Sequence, residues 1–201
     1  MIAILDYGMG NLRSVARAVT KVGGDAEVVA DPEVASRADA LIVPGVGAFG
    51  ACMTGLSTAG LDAVVREAAS EGKPVLGVCL GLQVLFDGSD ETPDVDGLGV
   101  LPGHVRAVRG QKVPHMGWNE VRWSREHPYT RAIPDGTRMY FVHSFAAEVG
   151  DDTVGVTEYG GPFAAAVSRG SVFATQFHPE KSGEPGLALY AAFVADVKAA
   201  A

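Results

Sequence analysis

Residues 74–86 read Pro-Val-Leu-Gly-Val-Cys-Leu-Gly-Leu-Gln-Val-Leu-Phe, an apolar run of strand length that passes through Gly77-Val78-Cys79-Leu80-Gly81 straight into a helical pattern. A strand that turns so abruptly into a helix describes a nucleophile elbow with Cys79 at its apex. Small residues at Gly77 and Gly81 let the chain turn sharply. The helix start would offer backbone amides and a dipole to a thiolate, the reactive form of cysteine. By itself the segment also fits a buried core cysteine at a strand end.

A cysteine nucleophile needs a base within hydrogen-bond reach, and the base needs an orienting partner. Ser171-Val-Phe-Ala-Thr-Gln-Phe177 reads as a strand and ends in His178-Pro179-Glu180. In an extended segment positions i and i+2 point the same way, so the imidazole of His178 and the carboxylate of Glu180 are expected side by side. Pro179 fixes its own φ and biases His178 towards an extended conformation. The N–H of Leu80, directly after the nucleophile, is the natural first donor to an oxyanion. Pro44-Gly45-Val46-Gly47 is a second candidate, since two glycines permit close backbone approach and rotation of a peptide, although an ordinary turn after a strand explains them too.

These motifs do not stand alone. Asp6-Tyr-Gly-Met-Gly-Asn11, Pro44-Gly-Val-Gly-Ala-Phe-Gly50, Lys112-Val-Pro-His-Met-Gly-Trp-Asn119, Tyr140-Phe-Val-His-Ser144 and Gln176-Phe-His-Pro-Glu-Lys-Ser182 span nearly the whole chain in order. Together with the elbow they resemble the class I (triad) glutamine amidotransferases, and within them the family of glutaminase subunits of imidazole glycerol phosphate synthase.

The resemblance implies hydrolysis of the γ-carboxamide of L-glutamine by a Cys79, His178, Glu180 triad. It implies an oxyanion strand at Gly45 and Val46 beside Leu80, and substrate contacts from Gly47, Gln83, His143 and Ser144. Ammonia would pass to a separate cyclase subunit, a (βα)8 barrel, in a one-to-one heterodimer. Gly10, Asn11, Met116, Trp118 and Lys181 are the candidates for that interface. No cofactor is implied. Unsynchronised hydrolysis would waste glutamine, so the resemblance and the mobile glycine-flanked peptide suggest a chain that is slow alone and accelerated by its partner.

Composition sets limits in the same direction. With 201 residues and 47% hydrophobic side chains the chain can bury one good core, and a single domain over 1–201 is expected. A formal charge of -8 argues against a nucleic-acid groove. Met1-Ile-Ala-Ile-Leu-Asp6 lacks the basic flank of a signal peptide, and no apolar run approaches a membrane span, so a cytoplasmic protein is expected. Cys52 and Cys79 form neither a CxxC pair nor a zinc spacing and are read as reduced thiols; the five histidines imply no metal. His104 and His127 are read as structural or solvent-facing.

Short apolar runs alternating with amphipathic stretches predict an α/β fold with a largely parallel central sheet, in three layers if the resemblance holds, with added antiparallel β segments in the C-terminal half. Strands are expected at 2–5, 27–30, 40–43 and into Cys79, then at 100–108, 119–123, 139–145, 153–157, 164–167 and 172–177. Helices are expected after Asn11, read as an N-cap, over 61–69 and from about Pro185 to Lys198. Asp87 to Asp94 reads as a polar surface loop. Two other readings stay open: a glutaminase serving a different acceptor, and a non-catalytic regulatory subunit of the same fold.

Overall fold

The structure, a computed structural model, describes residues 1–109 and 112–200. Its elements in chain order are β1 (Ile2–Leu5), α1 (Leu12–Lys21), β2 (Ala26–Val29), α2 (Pro32–Ser36), β3 (Ala40–Gly45), α3 (Phe49–Thr58), α4 (Leu61–Ser70), β4 (Val75–Cys79) and α5 (Leu80–Gln83). There follow β5 (Gly88–Ser89), β6 (His104–Ala107), β7 (His115–Trp123), β8 (Thr137–His143), β9 (Phe145–Ala147), β10 (Thr153–Glu158), β11 (Pro162–Arg169), β12 (Val172–Thr175), a 3-10 turn (Pro179–Lys181) and α6 (Gly183–Ala200).

Nine strands form one sheet in the order β2-β1-β3-β4-β12-β11-β10-β7-β8. The first five are parallel to their neighbours, and the remaining pairings are antiparallel. A small second sheet, β5-β6-β9, is not hydrogen-bonded to it but shares a core with β11, through Val105 and Ala147 with Ala164 and Val167. The inner parallel strands β1, β3, β4 and β12 are buried on both faces, which is why they read as largely apolar runs, whereas the edge strand β2 is mostly exposed. Their side chains still alternate. Ala3, Leu5, Leu41, Val43 and Val75 join one core with Ala35, Phe49, Cys52, Leu56, Leu61 and Val65 of α2, α3 and α4. Ile2, Ile4, Ala40, Ile42, Leu76 and Val78 join the other with Val15 and Val19 of α1 and Leu189 and Phe193 of α6. The result is the expected three layers, helix on sheet on helix.

Several boundaries differ from the sequence reading, each for a local reason. The strand expected over 100–108 is confined to His104–Ala107: Val100 and Leu101 both donate their N–H to the Leu85 carbonyl, Pro102 has none to give, and Gly103 takes φ 117°. The strand expected over 139–145 breaks at Ser144, so β8 and β9 belong to different sheets. The strand before His178 stops at Thr175. The polar stretch after Phe86 is not all loop, because Gly88–Ser89 pairs with β6 and Ser89 is buried. Asn11 occupies the N-cap of α1, but only its carbonyl serves there; its side chain makes no capping bond.

Two helices were not anticipated. In α2, Asp31 caps by accepting from Glu33 N–H at 2.8 Å, with Pro32 at the first turn, a start signal legible in the sequence. In α3 the buried residues Phe49, Cys52, Met53 and Leu56 have helical spacing, obscured by glycines and threonines of low helix propensity. Gly55 sits there because a Cβ would meet the Tyr7 carbonyl oxygen at 2.7 Å.

The tightest approach joins the elbow to its neighbouring strand, where a Cβ on Gly81 would lie 1.8 Å from the Val43 carbonyl oxygen. Gly81→Ala should therefore cost about 3 kcal/mol or more in urea unfolding, through forced separation of α5 from β3. Gly150→Ala, where a Cβ meets nothing within 4 Å, should stay within about 0.5 kcal/mol of wild type.

Candidate active site

Three neighbouring parallel strands end together. Gly45 at the end of β3 is in register with Cys79 at the end of β4, and Val78 with Thr175 at the end of β12. The carboxyl ends of parallel strands are where open α/β sheets bind ligands. The three chains that leave these ends carry the glycine segment, the elbow, and Gln176 to Glu180.

Cys79 has φ 55° and ψ -108°, the one non-glycine residue with positive φ among those described. Such strain persists only where the surroundings enforce it. They do so through Gly77, whose missing Cβ leaves room for the Gly81 carbonyl oxygen at 2.8 Å, and through Gly81 against Val43. The elbow helix α5 is a single turn, Leu80–Gln83, so it supplies free amides rather than a sustained dipole; the dipole anticipated from the sequence is small. Leu80 opens that turn, and its N–H has no acceptor within the helix.

His178 Nδ1 lies 2.8 Å from Glu180 Oε1, with both side chains buried. The pairing expected from the sequence is present, but its geometry is different. His178 is extended, whereas Glu180 lies on the 3-10 turn, which folds the carboxylate back under the ring. His178 is fixed at both backbone ends: its N–H donates to the Tyr140 carbonyl, and its carbonyl accepts from Ser182 Oγ at 2.7 Å. Burial opposes protonation of its ring and is the largest influence, yet interaction with the Cys79 sulfur and with Glu180 outweighs it and pushes the pKa up to about 9. Its Nε2 makes no aligned hydrogen bond to protein, so the link to sulfur is one of proximity and charge.

Cys79 and His178 line a cavity of about 280 Å³ with Val46, Gly47, Leu80, Gln83, His143, Ser144 and Lys181. The glycine segment divides its labour otherwise than expected. Gly47 takes the positive φ, 95°, while Gly45 serves close packing, since a Cβ there would meet Gly81 N at 2.8 Å. Gln83 is nearly enclosed: its Nε2 donates to the Phe145 carbonyl at 2.8 Å and to Gln176 Oε1 at 2.9 Å, so its amide is partly committed inward. His143 is also buried, with Nδ1 2.8 Å from the same carbonyl.

The interface candidates separate. Met116 and Trp118, two apart on β7, are 63% and 55% exposed, against the alternative of a core tryptophan. Lys181 is exposed, with Nζ 5.7 Å from the Tyr140 ring centroid, and Tyr140 meets Trp118 edge-on. Gly10, by contrast, packs on Pro44, with a Cβ 3.2 Å from its ring, and reads as a close approach to the glycine segment. Asn11 beside it is half-buried.

Sequence reasoning missed Glu91, which lines the cavity and accepts from Phe49 N–H at 2.8 Å, because it lies in the stretch read as loop. It also missed His115, whose Nδ1 is 2.9 Å from His143 Nε2. Burial pushes His115 down to about 4 and His143 down to about 3, so both rings are neutral near pH 7. His104 pairs with Asp90, and His127 stacks on Phe173. Both cysteines are free, and no group of metal-ligand type is found among the described residues. No helix among them is long and apolar enough to cross a membrane.

The model of the glutamine amidotransferase class-I family matches residues 3–197. The chain belongs to the class I glutamine amidotransferases. This family member is 47% identical over 201 residues to the imidazole glycerol phosphate synthase subunit HisH of Bacillus cereus, covering 99% of this chain and 96% of that one. It is 51% identical over 189 residues to the subunit of the same name from Moorella thermoacetica, covering 92% and 90%. Among solved structures, a glutamine amidotransferase crystal structure superposes with a TM-score of 0.76 at 23% identity, covering 97% of this chain and 98% of that one, which bears on the fold.

The raised His178 pKa has a linkage consequence. Its folded value lies above the ordinary 6.5, so the stability it contributes is fully present below about pH 6.5 and is lost as pH rises through about 9. The difference in unfolding free energy between wild type and Glu180→Gln should be largest near about pH 6 and shrink towards about pH 10. Urea titrations at several pH values read this directly.

Proposed function

We propose that the chain is the glutaminase subunit of an imidazole glycerol phosphate synthase, a single class I domain that hydrolyses L-glutamine to L-glutamate and delivers the ammonia to a cyclase subunit. The observation that carries the reading is Cys79 and His178 at the wall of one cavity, with Glu180 buried against His178, in a family member close to such subunits along its whole length.

The Cys79 thiol passes its proton to His178 as the sulfur attacks the γ-carbonyl of glutamine, forming a C–S bond and moving an electron pair onto oxygen. Leu80 N–H, with a backbone N–H of the Gly45-Val46 segment, meets that oxyanion. Collapse of the intermediate breaks the C–N bond as His178 gives its proton to the leaving nitrogen, releasing ammonia and a glutamyl thioester. His178 then takes a proton from water, the water oxygen attacks the thioester, and glutamate leaves with the thiol restored. Glu180 holds the imidazole tautomer and stabilises its cation. Gly47, Gln83, His143, Ser144 and the carboxylate of Glu91 are positioned to hold the amino-acid end of the substrate.

The acceptor chemistry belongs to the partner, a (βα)8-barrel cyclase in a heterodimer, in the cytoplasm where histidine is made. Met116, Trp118 and Lys181 form an exposed rim next to the cavity, and an exposed tryptophan with an aromatic neighbour suits an interface anchor. A glutaminase for a different acceptor is the second reading; the block Lys112 to Asn119, which carries Met116 and Trp118 of this rim, disfavours it.

In the complex, Cys79→Ala should abolish synthesis from glutamine while ammonium salts still support it, because only the ammonia source is lost. Loss of both activities would point away from this role. Glu180→Ala should keep more glutaminase activity than His178→Ala. The isolated chain should turn over glutamine slowly and be accelerated roughly 10²-fold or more when the cyclase subunit and its ribonucleotide bind, the scale set by one oxyanion donor. Full turnover by the chain alone, unchanged by the partner, would favour a stand-alone amidase.

A further inference from the structure

One buried side chain at the sulfur has no part in the scheme above. Gln176 is fully buried, and its Nε2 lies 3.6 Å from Cys79 Sγ. It follows β12 directly and precedes His178 by two residues, and the chain bends at Gln176 and Phe177 as both side chains approach the neighbouring strand end, where Cys79 stands.

The direction of its amide is dictated from outside. The Phe145 carbonyl can only accept, so the group of Gln83 that faces it at 2.8 Å is the NH2. That nitrogen has a second hydrogen and lies 2.9 Å from Gln176, so the atom of Gln176 on that side is the acceptor Oε1. The Nε2 of Gln176 is thereby turned towards the sulfur. Reversing the Gln176 amide would set two NH2 groups against each other and a carbonyl dipole against a thiolate. The Gln176 backbone N–H, bonded to the Ala165 carbonyl at 2.8 Å, fixes the residue further.

The sulfur needs such a donor. The Val142 carbonyl oxygen, 3.9 Å from Sγ, can only accept, so it suits a thiol and becomes repulsive once the proton leaves. Given that Cys79 is the nucleophile, we propose that Gln176 is a further catalytic residue, an amide donor held in direction by Gln83 that stabilises the Cys79 thiolate before attack and as it is expelled during deacylation. Gln83 then has a positioning role through Gln176 as well as a place at the cavity wall.

The test reads the thiolate directly, without glutamine. The rate of Cys79 alkylation by iodoacetamide is followed against pH in the full chain, with peptide mapping to assign the label. The other ionisable groups near the sulfur are His178 with Glu180 behind it, His143 on β8, Glu91 and Lys181 at the cavity, and Tyr7 and Cys52 beneath the end of β3; none is altered by the substitutions. Gln176→Leu should raise the alkylation midpoint by about 1 to 2 pH units, the worth of one hydrogen bond to a charged group. Gln176→Glu, which preserves shape and brings an acceptor in place of the donor, should raise it at least as far, and it decides the question if the leucine variant does not fold. In the complex, glutamine-dependent kcat should fall roughly 10- to 100-fold with KM changed far less. A wild-type midpoint in both variants would overturn the proposal and leave Gln176 a packing residue. Failure of the glutaminase reading would appear differently, as a wild-type complex inactive on glutamine.

Discussion

The contact on which the site depends is the meeting of two backbones with nothing between them. At the elbow the chain passes so close to β3 that only a hydrogen on Gly81 fits against the Val43 carbonyl. That contact, with Gly77 beneath Gly81, compels Cys79 into a positive φ that a free chain would avoid. Removing two side chains from the turn holds a third in a conformation it would not choose. The sulfur is thereby held at the carboxyl end of the central strands, with one turn of helix ready to present its amides.

From there the parallel half of the sheet does the assembly. Because β3, β4 and β12 run the same way as neighbours, the segments that leave them emerge side by side although they are far apart in the chain. The antiparallel half, β11-β10-β7-β8, then brings His143 and Val142 round to close the cavity from the other side. The two halves are held in one layer by alternate side chains of the same strands, which feed separate cores above and below.

A single backbone carbonyl gives the polar lining its direction. Phe145 O faces both Gln83 Nε2 and His143 Nδ1. Since it can only accept, His143 carries its proton on Nδ1 and accepts at Nε2, so His115 donates from Nδ1 and accepts from Asn119 at its own Nε2. The same carbonyl sets Gln83, and through it Gln176 at the sulfur. Buried rings with depressed pKa values suit this arrangement, because protonating either would place two donors face to face.

By itself the sequence determined the chemistry that is local in the chain. Strand, tight turn and helix around Cys79, the His178-Pro179-Glu180 spacing, and the apolar runs of the parallel strands are properties of a few consecutive residues, set by sterics and by side-chain alternation. The family followed from the order of such blocks. Only the tertiary structure decided what depends on neighbours remote in sequence: that Glu180 reaches His178 from a 3-10 turn, that Gly45 packs while Gly47 turns, that Glu91 and His115 belong to the site, and which way each buried amide points. Glu91 was hidden in a polar stretch because nothing nearby marks it; it matters only because Phe49 and the cavity come to it. Hydrogen-bond direction is the clearest case, since a glutamine side chain presents a donor and an acceptor of nearly the same shape, and only the fixed partner across the fold can choose between them.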